Sequence, residues 1–88
     1  MKYRVPDHVF ASVVHEEVML LDTRSDEYLG LNRTASLVWT SILAGSSIDA
    51  TAAEMATKFE VAVDDARSHA ESLVGQLVDK GLLEQIAP

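Results

Sequence analysis

The sequence predicts an α+β domain in which a three-stranded antiparallel N-terminal sheet is followed by three helices, in a winged-helix-like arrangement. Three observations carry that prediction. Up to Asn32 the apolar residues come in short runs rich in β-branched and aromatic side chains, separated by polar turns. After Asn32 they recur at three- and four-residue spacing, the helical period. The connections between the early runs are only a few residues long, which suits an antiparallel meander.

Taken in order, Val9–Val14 (VFASVV) is the first strand, and His15-Glu16-Glu17 reads as a tight turn. Val18–Asp22 (VMLLD) is the second strand, and the polar Thr23–Asp26 (TRSD) forms the next turn. Glu27–Leu31 (EYLGL) is the third. It is short, contains Gly30 and runs directly into a helix, so it suits the edge of a sheet. Tyr28 alternates with Leu29 and Leu31 and should face away from them, as a surface aromatic or as a contact for a guest chain.

Asn32 is a good N-cap for the first helix, whose stripe is Ala35, Val38, Trp39, Ile42 and Leu43, with Gly45 at its C′ position. Trp39 should lie in the core. Ser47 caps a second helix with the stripe Ile48, Ala52, Met55 and Phe59. The third helix is expected over Val63–Lys80, with Asp64 and Asp65 complementing its N-terminal dipole and Lys80 its C-terminal end. Gly81 stops it, and Leu82 and Leu83 return to the core. Ala66, Ala70, Leu73 and Leu77 form this helix's central stripe. Val63, Val74 and Val78 widen it on one flank, either as more core or as one wall of a groove. The other flank, Asp65, His69, Ser72 and Gln76, is polar.

The 88 residues make a single domain spanning 1–88, with 48% apolar residues, enough for one modest core. There is no cysteine, so no disulfide or thiolate chemistry is expected, which fits a reducing compartment. Met1–Val9 lacks a signal-type apolar run, and nothing approaches the roughly 18 apolar residues of a membrane span. A cytoplasmic protein away from the membrane is expected. The formal charge is −7, and the basic residues are scattered. The third helix sets only Arg67 and Lys80 against Asp64, Asp65, Glu71 and Asp79. A winged-helix DNA-binding regulator needs clustered positive charge there, so nucleic acid is an unfavoured partner.

No constellation suggests catalysis. His8, His15 and His69 sit in three different segments and do not converge as metal ligands. Asp22, Asp26 and Glu27 lack EF-hand spacing. Asp64-Asp65 reads as helix N-terminal charge, and Ser46-Ser47 as a cap without a nucleophile elbow. The expected protein is therefore not an enzyme and needs no cofactor or metal. A free strand edge of this kind is suited to taking up another chain as an added strand. Self-pairing of that edge into a homodimer is an alternative; a monomer is expected.

The segment Leu20-Leu21-Asp22, a polar turn, Tyr28-Leu29-Gly30-Leu31-Asn32-Arg33-Thr34-Ala35, Trp39, Gly45, a helix ending at Phe59, and Leu77–Leu83 (LVDKGLL) together resemble the PqqD-like proteins. These are also known as precursor-peptide recognition elements of RiPPs, which are ribosomally made, post-translationally modified peptides. The resemblance spans about Val9–Leu83. Within the family, LLDTRSDEYLGLN with Trp39 is most similar to the discrete leader-binding proteins of lasso-peptide biosynthesis. Proteins serving pyrroloquinoline quinone synthesis usually have a proline-containing stretch where this chain has Thr23-Arg24-Ser25; a peptide chaperone of that pathway is the alternative. Arg33 stands where many relatives have proline, and it is compatible with the first helical position.

The resemblance implies a domain that holds a precursor's leader segment while a leader peptidase and an ATP-dependent cyclase act on the attached core. The leader would add a strand beside Glu27, Tyr28, Leu29, Gly30 and Leu31 and pack on the third helix. Ala70, Val74 and Val78 are the expected groove wall, with Arg67 and Glu71 at its rim. On that reading Val74→Asp abolishes leader binding while the domain stays folded.

Overall fold

The computed structural model of the chain describes residues 2–86. Its elements run β1 (Lys2–Arg4), β2 (Val9–Val14), β3 (Glu17–Asp22), β4 (Glu27–Gly30), α1 (Arg33–Leu43), α2 (Ile48–Phe59), α3 (Val63–Asp79) and β5 (Glu84–Ile86). The three-stranded meander is as expected: β2, β3 and β4 pair antiparallel in that order. Val9 faces Asp22 and Val14 faces Glu17 across the first pair; Met19 faces Gly30 and Asp22 faces Glu27 across the second.

The β2–β3 connection is tighter than expected, because Glu17 already belongs to β3. His15 and Glu16 alone make the turn, both with positive φ (52° and 67°), the backbone a two-residue hairpin requires. The β3–β4 turn is held by Asp22, whose Oδ1 accepts the Arg24 backbone N–H at 2.9 Å.

A second sheet is an addition. β1 and β5 pair antiparallel, Tyr3 opposite Gln85, and tie the two ends of the described chain together. Each is three residues long, too short to show a period, and their pairing spans the whole domain. Arg4 and Glu84 add an ion pair at 3.0 Å.

The first two helices begin where their caps predict. Asn32 Oδ1 accepts the Ala35 N–H at 2.8 Å, and Ser47 Oγ accepts the Ala50 N–H at 3.0 Å. Gly45 takes the left-handed backbone (φ 97°) just beyond α1. Two connected layers of core result. One joins Val18, Leu20, Leu31, Trp39, Leu77, Leu82 and Leu83, so the sheet, α1 and the chain end meet there. The other joins Val38, Ile42, Ala52, Met55, Ala66, Ala70 and Val74 between the three helices.

That second layer corrects the expected groove wall. Ala70 and Val74 are 0% and 5% exposed, packed with Val38, Ile42, Ala52 and Met55. Val78 is half-buried against both layers. Val74 and Val78 are thus part of the core, while Val63 at the start of α3 is exposed; beside Leu73 and Leu77 the polar flank is the open one.

Candidate functional site

The site follows from how β4 is anchored. The Leu31 N–H donates to the Val18 carbonyl at 2.8 Å. In an antiparallel ladder alternate residues point their backbone groups the same way. Glu27, Leu29 and Leu31 therefore turn theirs towards β3, and Tyr28 and Gly30 turn theirs outwards. β4 pairs with β3 alone among the described residues, so the N–H and C=O of Tyr28 and Gly30 form an open ladder.

Ser36 sets the end of that edge. This α1 residue is 3% exposed. Its Oγ accepts the Val18 N–H at 2.8 Å and donates to the Leu31 carbonyl at 3.1 Å. The hydroxyl thus takes the place of the last ladder bond between Val18 and Leu31. It lets the chain leave β4 and enter α1 without leaving buried backbone groups unpaired.

Three cavities line up along the open edge. The upper one, about 310 Å³, lies among Asp22, Ser25, Glu27, Tyr28, Leu29 and Lys80. The middle one, about 210 Å³, has Leu29, Gly30 and Leu31 on one side and Leu73, Gln76, Leu77 and Lys80 of α3 on the other. The lower one, about 360 Å³, lies among Asn32, Thr34, Phe59, Val61, Asp65 and His69, with Met55 and Ala66 also lining it. Leu29 and Lys80 belong to the first two, which form one groove beside β4; the third adjoins it at Asn32, just past the strand.

The groove's character is apolar along its floor and mixed at its rim. Leu29, Leu73 and Leu77 offer hydrocarbon; Gln76, Lys80, Asp65 and His69 offer hydrogen bonds and charge. At the upper end the Arg24 backbone N–H, with help from its guanidinium, holds the Asp22 carboxyl below its ordinary range. Asp22 therefore stays ionised at neutral pH and keeps the β3–β4 turn closed.

Of the residues singled out in the sequence, Glu27, Tyr28, Leu29, Gly30 and Leu31 all line this groove. The α3 residues do not. Ala70 and Val74 are buried elsewhere, and Arg67 binds Asp49 at 2.8 Å, bracing α3 against the start of α2. Glu71 is exposed and lines none of the three cavities. The missed contributors are Leu73, Gln76, Leu77 and Lys80, with Asp65 and His69 at the lower end. A signal was available: Asp65, His69 and Gln76 follow helical spacing on the flank beside Leu73 and Leu77.

Among the described residues no cluster of three or more His, Cys, Asp or Glu could hold a metal ion. No helix among them is long and apolar enough to cross a membrane.

A meander with an open edge beside its last long helix defines an α+β domain of winged-helix-like form. The chain belongs to the PqqD family, described as coenzyme PQQ synthesis protein D, whose sequence profile matches residues 17–83. Among solved structures it is similar to a lasso peptide synthetase B1 complexed with the leader peptide. The two are 29% identical with a TM-score of 0.88, over 97% of this chain and 100% of that one. It also shares its fold with TbiB1 in complex with the TbiA(beta) leader peptide, at 24% identity and a TM-score of 0.82, over 100% of both chains. No curated protein sequence matches it.

Proposed function

We propose that this protein binds the leader segment of a ribosomal precursor peptide by strand addition to β4 and presents it to maturation enzymes in lasso-peptide biosynthesis. The observation that carries the reading is the open ladder of Tyr28 and Gly30 running along a groove floored by Leu29, Leu73 and Leu77. The resemblance to a lasso peptide synthetase B1 solved with its leader supports the same reading.

Each added backbone hydrogen bond contributes roughly 0.5–1.5 kcal/mol net, and ordering a flexible leader opposes the sum. Apolar leader side chains entering the groove supply the remainder and, because backbone pairing reads little sequence, most of the selectivity. The protein works in the cytoplasm without a cofactor and catalyses nothing itself. A leader peptidase, and in turn a cyclase, act on the precursor it holds.

The test is an NMR titration with a candidate leader peptide, paired with Gly30→Pro. The Gly30 N–H points away from β3, so proline removes a donor from the open ladder while leaving the β3 pairing intact. A β-carbon at Gly30 would meet only ordinary contacts, with Met19. Shifts should concentrate on residues 27–32 and on Leu73, Gln76 and Lys80. Gly30→Pro should weaken binding at least about tenfold with an unchanged circular dichroism spectrum. Shifts confined to the valine flank of α3, or full affinity in Gly30→Pro, would contradict the assignment.

A further inference from the structure

The opposite edge of the sheet has no evident guest. Five of the six residues of β2 are exposed, among them Phe10 (62%), Val13 (68%) and Val14 (59%). Its sequence, VFASVV, contains no charge and no proline, and its unbroken register with β3 leaves no bulge. Exposed edges are normally guarded by lysine, proline, a bulge or a covering element. β2 has none of the first three, and its substantial contacts are all with β3.

The backbone on this edge is also unpaired. The Thr23 N–H donates to the His8 carbonyl at 2.8 Å, so His8, Phe10, Ser12 and Val14 turn their backbone groups towards β3. Ala11 and Val13 turn theirs outwards.

We propose that β2 pairs antiparallel with β2 of a second copy, about a two-fold axis that sets Ser12 opposite Ser12. A register that keeps the two outer faces on one side must pair residues of the same parity. In this one Phe10 lies opposite the second copy's Val14 on the outer face, and Ala11 lies opposite its Val13 on the inner face. Ala11 and Val13 then exchange N–H and C=O groups, satisfying the outward ladder. Moving the axis to Ala11 sets Phe10 against Ser12 and Val14 against His8, outside β2.

The occupant is a second copy because the strand's apolar pattern is its own complement under this symmetry. The contact strip is also free of charge in a chain of net charge −7, so no like charges are forced together within it. One strand pair buries less than the roughly 800 Å² per partner of a standard interface, so the dimer is weak and concentration-dependent. β2 and β4 are opposite edges of the sheet, so the leader groove stays open in both copies. The inference replaces the expected monomer and does not depend on leader binding.

The chain has no cysteine, so Ser12→Cys introduces a single thiol. Residues opposed in a non-hydrogen-bonded pair have Cα atoms about 4.5 Å apart, within the disulfide range of about 4.4–6.8 Å. Mild oxidation should convert Ser12→Cys rapidly to a covalent dimer and leave Ser68→Cys, a thiol on exposed α3 surface, largely monomeric. Sedimentation equilibrium of the unmodified chain should show monomer and dimer, with dimer increasing with concentration and with salt, which screens the net charge. Val13→Pro removes only an outward donor and should weaken the dimer at least about tenfold. A chain that stays monomeric at NMR concentrations overturns the proposal, and would leave β2 free for a different protein. Cross-linking of Ser12→Cys no faster than that of Ser68→Cys also overturns it. The cross-linking pair decides the matter even if Val13→Pro fails to fold.

Discussion

At the residue scale, Ser36 links the fold to its function. Its hydroxyl is the partner of two buried backbone groups, the Val18 N–H and the Leu31 carbonyl. Ser36→Ala should therefore cost about 2–4 kcal/mol, more than an ordinary surface serine, because two polar groups lose their partner together. Urea unfolding measures it. The same variant should bind the leader more weakly, since Leu31 fixes where β4 ends. This role is not legible in the sequence. Ser36 sits next to the stripe of Ala35, Val38 and Trp39 and reads as an unremarkable helical serine until β3 is placed against it. Asn32 is the contrary case: its cap depends on residues three apart, and the local pattern suffices.

At the element scale, α3 shows what periodicity leaves undecided. Its stripe of Ala66, Ala70, Leu73 and Leu77 is legible, and all four pack inwards to some degree. Which flank of the stripe is closed depends on where α1 and α2 cross it. They cross on the side of Val74, so Val74→Asp should not yield a folded non-binder. It buries an unpaired carboxylate beside Val38, Ile42 and Met55, and the thermal melt followed by circular dichroism should lose its cooperative transition. Gln76→Ala, on the open flank, should melt like the parent and bind the leader less tightly. If Val74→Asp melts normally, the packing of α3 described here is wrong.

At the scale of the whole molecule, the β1–β5 ribbon closes the domain. Tyr3 packs against both core layers and Val5 against one, so the N-terminal segment is part of the core as well as of a strand pair. Deleting residues 1–5 removes both side chains and leaves β5 without its partner. A loss of about 2–5 kcal/mol is expected, from the area returned to water and the lost pairing. Urea titration of the shortened chain gives the value. The β4 groove should survive in whatever fraction stays folded, because β1 lies outside it.

The sequence by itself determined the meander, the order of its three strands and the three helices, the caps of α1 and α2, and the place of β4 at a sheet edge. Those depend on neighbours a few residues apart, where alternation, turn chemistry and capping act. Tertiary structure alone decided the rest: the pairing of the chain's two ends, the hydroxyl of Ser36 between β3 and α1, and the flank of α3 that faces the groove. Each is set by contacts between segments distant in sequence. A helix's periodicity identifies its apolar side, but which neighbours cover that side is settled only when the elements pack.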